Sequence, residues 1–268
     1  WNLTQKHNDL AIADVQNKMT SLVEAVNEHL TEYETLLSKN AIMHNNIYRG
    51  KYLGNSVTTE QYQAISSGTF EDLYIGDYWT IDGVNYRIAG FNYYYYTGDA
   101  VLTTHHAIIV PDTILYTYVM NDTNTTEGGY VNSKMRTEGL AQALSIIKSA
   151  FSGHVLKHRQ LLSNATLDGK ASGWAWFDSE VDLMNEVMVY GSVAWGESAI
   201  GGSGYNIGVD KSQLPLFKLN PRMINTRQSY WLRDVVSGSY FAYVSNAGNA
   251  YYGNASEARG VRPVFCIS

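Results

Sequence analysis

Cysteine, proline and charged residues are scarce in this chain of 268 residues. The single cysteine, Cys266, excludes an intrachain disulfide framework, and its apolar, strand-like surroundings predict a buried, inert thiol. Charged residues make up 16% of the chain, and the net charge is −6. Because no run of Lys or Arg offsets this charge, we expect no nucleic-acid partner.

Long apolar runs are absent as well. No stretch approaches the roughly 20 apolar residues that a bilayer-spanning helix needs, so we expect no membrane insertion. The first residues are polar and lack the basic-then-apolar order of a signal peptide. The hydrophobic content of 45% nevertheless supports one large or two modest domains.

Motifs that carry catalysis are missing too. The chain has no Gly-x-Ser-x-Gly and no His-Glu-x-x-His sequence. The glycine-rich loop at 201–204 lacks the Lys-Ser/Thr ending of a phosphate loop. His105 and His106 would point to opposite faces of a strand, without a nearby carboxylate or cysteine, so we assign them to hydrogen bonding. We predict that the protein is not an enzyme and holds neither a cofactor nor a metal.

The N-terminal residues carry a heptad pattern with alternating spacings of three and four. Its e positions add Val23, Leu30 and Leu37, which widens the apolar stripe beyond a two-helix seam. We therefore predict a parallel, trimeric coiled-coil stalk over residues 1–46. The alternative is a single amphipathic helix packed on its own domain. The predicted trimer contacts at positions a and d are Ile12, Val15, Met19, Leu22, Val26, His29, Tyr33 and Leu36.

Polar residues interrupt the heptad seam. Extending the register backwards places Gln5 at a and Asn8 at d, and His29 also occupies a d position. Polar layers of this kind cost stability but fix register and oligomeric state. Whether His29 or Asn8 also binds an ion on the trimer axis is left open.

Beyond the stalk, the pattern predicts a neck over residues 47–76 and an α+β domain over residues 77–268. Thr58 or Thr59 would cap a short helix in the neck. Asp82-Gly83 separates two β-rich runs, 78–81 and 84–88, which predicts a hairpin with a type I′ turn. A short apolar strand, 107–110, should end at Pro111.

Two helices are predicted inside the domain. The first covers residues 133–151, with Gly153 as its stop. The second should begin near Asp178 or Ser179, since Ser179–Asp182 resembles a capping box. On such a helix Asp178, Asp182 and Glu186 would share one solvated face.

The last forty residues set two apolar blocks, 230–234 and 260–265, around a stretch of Ser, Asn, Gly, Ala and Tyr. We predict that the blocks are core strands. Their arginines, Arg233 and Arg262, should be buried and paired with carboxylates such as Asp234 or Glu257. The stretch between them has the composition of a recognition surface, because Tyr offers large contact area and Ser, Asn and Gly offer adaptable hydrogen bonds.

These blocks and the Tyr-, Ser- and Asn-rich stretch between them resemble the C-type-lectin-like terminal domain of phage and gut-bacterial surface proteins. Some of those domains are the variable proteins of diversity-generating retroelements. From Ile47 onwards the chain is similar to fibre or decoration proteins of phages that infect gut bacteria, and the N-terminal helix is similar to a trimeric fibre stalk. The resemblance implies an α+β fold: a trimeric coiled-coil helix followed by a C-type-lectin-like domain.

The function that the resemblance implies is receptor binding at the virion surface. The partners would be the chain itself in a homotrimer, a bacterial surface glycan or protein, and other virion proteins through the N-terminal stalk. The chain lacks the Glu-Pro-Asn triplet of calcium-dependent sugar-binding lectins. The expected ligand-binding residues are Tyr240, Tyr243, Ser245, Asn246, Asn249, Tyr251, Tyr252, Asn254 and Ser256.

Two other functions stay open at this point. The protein would be a purely structural head or neck fibre if its tip has no specific ligand. An enzyme resembling the formylglycine-generating enzymes is the third candidate, but those enzymes depend on cysteines that this chain lacks.

Overall fold

The computed structural model describes residues 1–37, 41–196 and 212–268. The chain is mixed α+β, with a long N-terminal helix followed by a β-rich domain. The glycine-rich loop at 201–204 lies outside the described residues, as does the side chain of Leu36. The helices are α1 Asn2–Leu37, α2 Ala41–His44, α3 Thr59–Ser67, α4 Leu140–Phe151, α5 Glu186–Tyr190 and α6 Pro215–Leu219.

Thirteen strands are present in the described residues. They are β1 Tyr52–Gly54, β2 Tyr78–Ile81, β3 Val84–Phe91, β4 Ala107–Pro111, β5 Tyr116–Tyr118, β6 His158–Leu167, β7 Lys170–Ser179, β8 Val181–Leu183, β9 Tyr230–Val235, β10 Tyr240–Val244, β11 Ala250–Asn254, β12 Arg259–Val261 and β13 Pro263–Ile267.

The helix α1 presents its heptad stripe to solvent in the single chain. Leu22 is 64% exposed, and Ile12, Val15, Met19, Val26 and Tyr33 are exposed as well. His29 is also exposed and lies beside Glu32. A helix packed along this stripe on its own domain, which was the alternative, would have buried these side chains.

The larger sheet has six strands in the order β1-β2-β3-β4-β13-β8. β1 is parallel to β2, and the other neighbours are antiparallel. β4 and β13 are buried along their whole length, as expected from their continuous apolar sequences. Cys266 on β13 is buried, as predicted, and β4 ends at Pro111, also as predicted.

The hairpin that joins β2 and β3 is confirmed. Asp82 and Gly83 have φ angles of 49° and 79°, the two positive values that a type I′ turn requires. The register pairs Ile81 with Val84 across the turn.

The predicted cap of α3 is confirmed at Thr58. Its side chain accepts a hydrogen bond from the Gln61 N–H, and the Gln61 side chain accepts one from the Thr58 N–H, which completes a capping box. Residues 47–76, predicted as a neck, contribute Ile65, Phe70 and Ile75 to the same hydrophobic core as the strands.

The first predicted helix of the domain is confirmed, and the second is wrong. α4 covers Leu140–Phe151 after a π-helical turn at Met135–Gly139. Residues 170–179 and 181–183 form strands instead, because β7 pairs with β6 along its length and β8 pairs with β13. The proposed solvated acidic face therefore does not exist: Asp182 and Glu186 are fully buried, and α5 is capped by Asn185.

The smaller sheet has the order β11-β10-β9-β12-β5, and β6 and β7 form a separate two-stranded sheet. Both apolar blocks are core strands, as predicted. β9 is buried throughout, while β12 and β13 follow one another in the chain but belong to different sheets. Arg262 stands at the junction of these two strands.

The two block arginines are buried, as predicted, but their hydrogen bonds go to neutral acceptors and not to the predicted carboxylates. Arg262 donates to the carbonyl of Pro111 at 2.8 Å and to the Tyr230 hydroxyl at 3.1 Å. Arg233 donates to the side-chain oxygen of Gln160. Both arginines therefore tie strands together through neutral acceptors.

Candidate functional site

The residues predicted to bind a ligand lie on one β-hairpin and the turn after it. We call β10, β11 and their connecting turn, residues 240–254, the tyrosine hairpin. Its register pairs Tyr243 with Tyr251 and Tyr240 with Asn254. β11 is an edge strand of the smaller sheet, so this hairpin forms the outer border of that sheet.

The hairpin tyrosines form a continuous aromatic group. Tyr251 and Tyr252 stack with ring centroids 5.5 Å apart. Tyr243 lies 5.7 Å from Tyr251, and Tyr240 lies 5.2 Å from Tyr252. Tyr251 is 51% exposed, whereas the other three tyrosines are half-buried. Tyr251 therefore offers the largest ring surface to a ligand.

Arg259 supports the aromatic group from one side. Its guanidinium lies 3.6 Å from the centre of the Tyr243 ring and 5.2 Å from that of Trp231. Glu257 pairs with the same guanidinium, so the local charge is compensated. A Cβ at Gly253 would lie 2.7 Å from the guanidinium end of Arg259, so this guanidinium also lies against the backbone of β11.

Most of the polar residues of the predicted site have structural partners. The Ser245 hydroxyl accepts hydrogen bonds from the N–H groups of Ala247 and Asn249 and so shapes the turn. Asn254 donates to Glu257, and Ser256 donates to Asn124. Asn246 and the side chain of Asn249 lie at the exposed tip. These two amides are the polar groups best placed to meet a ligand.

Trp195 belongs to this surface and was missed by the ligand-binding prediction. It is 45% exposed, and its ring centroid lies 4.8 Å from that of Tyr252 and 6.5 Å from that of Tyr251. Its Gly- and Ser-rich neighbourhood was the only sequence signal, and nothing in it indicated proximity to the hairpin.

A buried polar cluster lies elsewhere in the domain, around Asp182. Asp182 accepts a hydrogen bond from Tyr130 at 2.8 Å and pairs with Arg136 at 3.0 Å. Burial raises the pKa of Asp182, an effect that Arg136 and Arg233 oppose. The carboxylate is fully buried, so its hydrogen bond and ion pair connect β8 to the segment that carries Tyr130 and Arg136.

The histidine pair has structural contacts. His106 is buried and accepts a hydrogen bond from the Tyr94 N–H, whereas His105 stacks on Tyr95. Within the described ranges, no group of three or more His, Cys, Asp or Glu residues stands ready to hold a metal ion. No helix in the same ranges combines the length and the apolar composition needed to span a bilayer.

Fold and site together define a mixed α+β protein with a long exposed helix and a tyrosine-rich hairpin at a sheet edge. No family model matches the chain, and neither a curated protein nor a solved structure does. The resemblance to phage fibre proteins with a C-type-lectin-like domain therefore stays a prediction.

Proposed function

We propose that this chain is a homotrimeric phage fibre or receptor-binding protein whose tyrosine hairpin binds a ligand on the bacterial surface. The observation that carries the proposal is the apolar heptad stripe of α1, which is exposed in the single chain. An exposed apolar stripe with spacings of three and four over a helix of 36 residues is stabilised when copies of the helix associate.

The tyrosine hairpin supports the binding part of the proposal. Aromatic rings on a rigid sheet edge provide contact area at low cost in conformational entropy. The rings of Tyr251 and Trp195 are exposed, and Asn246 and Asn249 are exposed in the turn of the hairpin. This combination suits either a glycan or a protein ligand.

Three copies on one stalk would make binding multivalent. After the first site engages, the later binding steps become intramolecular, so weak single sites add up to strong attachment. Under this proposal the stalk also connects the domain to other virion proteins, and the protein acts at the virion surface without catalysing a reaction.

Binding to intact cells tests the ligand-binding part. Labelled protein would be incubated with a panel of gut-bacterial strains, and bound label measured by flow cytometry. We expect the double variant Tyr251→Ala, Tyr252→Ala to lose binding without unfolding. Tyr52→Ala is the matched control, because Tyr52 is 53% exposed on β1, outside the hairpin.

The same experiment separates the two ligand classes. Treating the cells with periodate destroys glycans, whereas treating them with protease removes surface proteins, and only one treatment should abolish the signal. Unchanged binding by the double variant would refute the hairpin as the site.

A structural fibre without a ligand is the second candidate, and one observation favours it. Ser245, Asn254 and Ser256 are engaged in hydrogen bonds within the protein. Under this alternative the hairpin is a stable polar cap, and the wild type binds none of the strains. Imaging the stalk on whole particles would then show whether it inserts at the head or the neck.

A further inference from the structure

We propose that Trp195 is a ligand-binding residue of the aromatic surface and that the buried carboxylate of Glu186 is the positioning residue that holds it there. The inference deepens the proposed function and rests on it. It adds to the tyrosine hairpin a second, separate chain segment, residues 194–196.

The first observation is the setting of the Glu186 side chain. Glu186 opens α5 and is fully buried. Its carboxylate accepts hydrogen bonds from the N–H groups of Ala194, Trp195 and Gly196, at 2.9, 3.0 and 2.9 Å. A carboxylate only accepts hydrogen bonds. It therefore matches three converging N–H donors better than a neutral side chain at this position would.

The second observation is how closely the segment lies against β9. A Cβ at Gly196 would lie 2.5 Å from Cβ of Asp234, so the backbone approaches this strand at a distance that only glycine permits. Asp234 in turn accepts a hydrogen bond from the Glu186 N–H at 2.8 Å. The segment is therefore fixed both to α5 and to β9.

The third observation is what this support presents to solvent. While the backbone N–H of Trp195 is held by a buried group, its indole ring is 45% exposed against Tyr251 and Tyr252. Exposing a large aromatic ring is unfavourable, and a rigid backbone anchor beneath an exposed ring is typical of binding surfaces. The geometry thus separates two roles: Glu186 holds the segment, and Trp195 makes the contact.

The binding test compares Trp195→Ala with wild type on the cell panel described above. We expect about tenfold weaker binding or more, as for an aromatic hot-spot residue, and partial recovery in Trp195→Phe. Trp174→Ala is the control, because Trp174 lies partly exposed on β7, in a different sheet. Wild-type binding by Trp195→Ala would overturn the ligand-binding role.

The positioning test uses Glu186→Gln, which keeps the size of the side chain but replaces one acceptor with a donor. The chain has six tryptophans, so the fluorescence of Trp195 must be separated from that of the other five. It is obtained by subtracting the emission spectrum of Trp195→Phe from that of wild type, and the spectrum of the double variant Glu186→Gln, Trp195→Phe from that of Glu186→Gln. We expect Glu186→Gln to shift this difference emission to longer wavelength, to increase acrylamide quenching of it, and to weaken cell binding as much as Trp195→Ala does. Adding Trp195→Ala to Glu186→Gln should weaken binding no further.

The outcomes are distinguishable. Unchanged difference emission and quenching in Glu186→Gln would overturn the positioning role, whatever the binding result. If the wild type binds no strain, the receptor-binding function fails and the ligand contact of Trp195 fails with it, while the emission of Glu186→Gln still decides the positioning role. Should Glu186→Gln not fold, as judged by circular dichroism, Gly196→Ala displaces the same segment from β9 and takes its place in the emission and binding comparison.

Discussion

At the scale of single residues, Asp234 accepts a hydrogen bond from the Glu186 N–H and has an unusually high pKa. Burial raises its pKa to about 8, and the charge of Glu186 adds to the rise, whereas Arg233 opposes it. At neutral pH the folded protein therefore keeps Asp234 protonated beside Glu186. The unfolded chain loses the same proton near the ordinary aspartate pKa of about 3.9.

This difference predicts that the contribution of Asp234 to the free energy of unfolding decreases as pH rises between about 4 and 8. In that window the folded state binds a proton that the unfolded state has released, so each increase in pH favours unfolding. Asp234→Asn removes this titration, and its stability relative to wild type should increase with pH. Urea unfolding at pH 5.5, 7 and 8.5 measures the trend.

Asp168→Asn is the control for this series, since Asp168 is exposed in the turn between β6 and β7. Its stability relative to wild type should stay constant over the same pH values. Parallel pH curves for wild type and Asp234→Asn would contradict the assignment.

At the scale of elements, α1 offers the most direct test. Val26→Glu places a charge at an a position of the heptad, where three copies would meet in the proposed trimer. We expect the particle mass to fall from three times 29.9 kDa to that of one chain. Light scattering at micromolar concentration measures it.

Asn27→Glu adds the same charge at the next position, outside the proposed seam, and should leave the mass unchanged. A monomeric wild type at micromolar concentration would refute the trimer, and a trimeric Val26→Glu would refute this seam.

The cap of α3 gives a second prediction at this scale. Thr58→Ala removes the hydroxyl that accepts a hydrogen bond from Gln61, which should lower the free energy of unfolding by about 1 kcal/mol. Thr59→Ala is the neighbouring control, because Thr59 is exposed and is already inside the helix. Equal stability of the two variants in urea unfolding would argue against the cap.

The elements also show which sequence signals were sufficient. The β2–β3 hairpin and the α3 cap depend on residues within a few positions of each other, so Asp82-Gly83 and Thr58–Gln61 identified them correctly. The capping pattern at Ser179–Asp182 failed, because the partners that decide this region are distant in sequence. Val181 pairs with Phe265, and Ser179 pairs with His158. Such pairing overrides a local preference for helix.

The candidate site follows the same rule. The tyrosine hairpin is contiguous in sequence, so its composition between two apolar blocks was enough to locate it. Trp195 is joined to it only by the fold, since α5 and β9 together bring residue 195 against residues 251 and 252. The acceptors of Arg233 and Arg262 were likewise unpredictable, because Gln160 and Pro111 lie far away in sequence.

At the scale of the whole molecule, the proposal makes attachment depend on the number of linked sites. Val26→Glu leaves the hairpin unchanged but separates the copies, so binding to cells should weaken by roughly 10²- to 10⁴-fold. Titration of labelled protein on a strain that the wild type recognises measures this loss. Asn27→Glu should bind as wild type does, and equal affinity of Val26→Glu and wild type would argue against multivalent attachment.

The position of β13 has a consequence for biosynthesis. This strand lies inside the larger sheet between β4 and β8, yet it is translated after every other described strand. At the usual rates of about 5–20 residues per second, the ribosome needs roughly ten to fifty seconds to proceed from the end of α1 to β13. For most of that interval α1 has already emerged from the ribosome while β4 still lacks its neighbour β13. If α1 trimerises as proposed, nascent chains on one messenger would be able to join through their helices before any of their domains is complete.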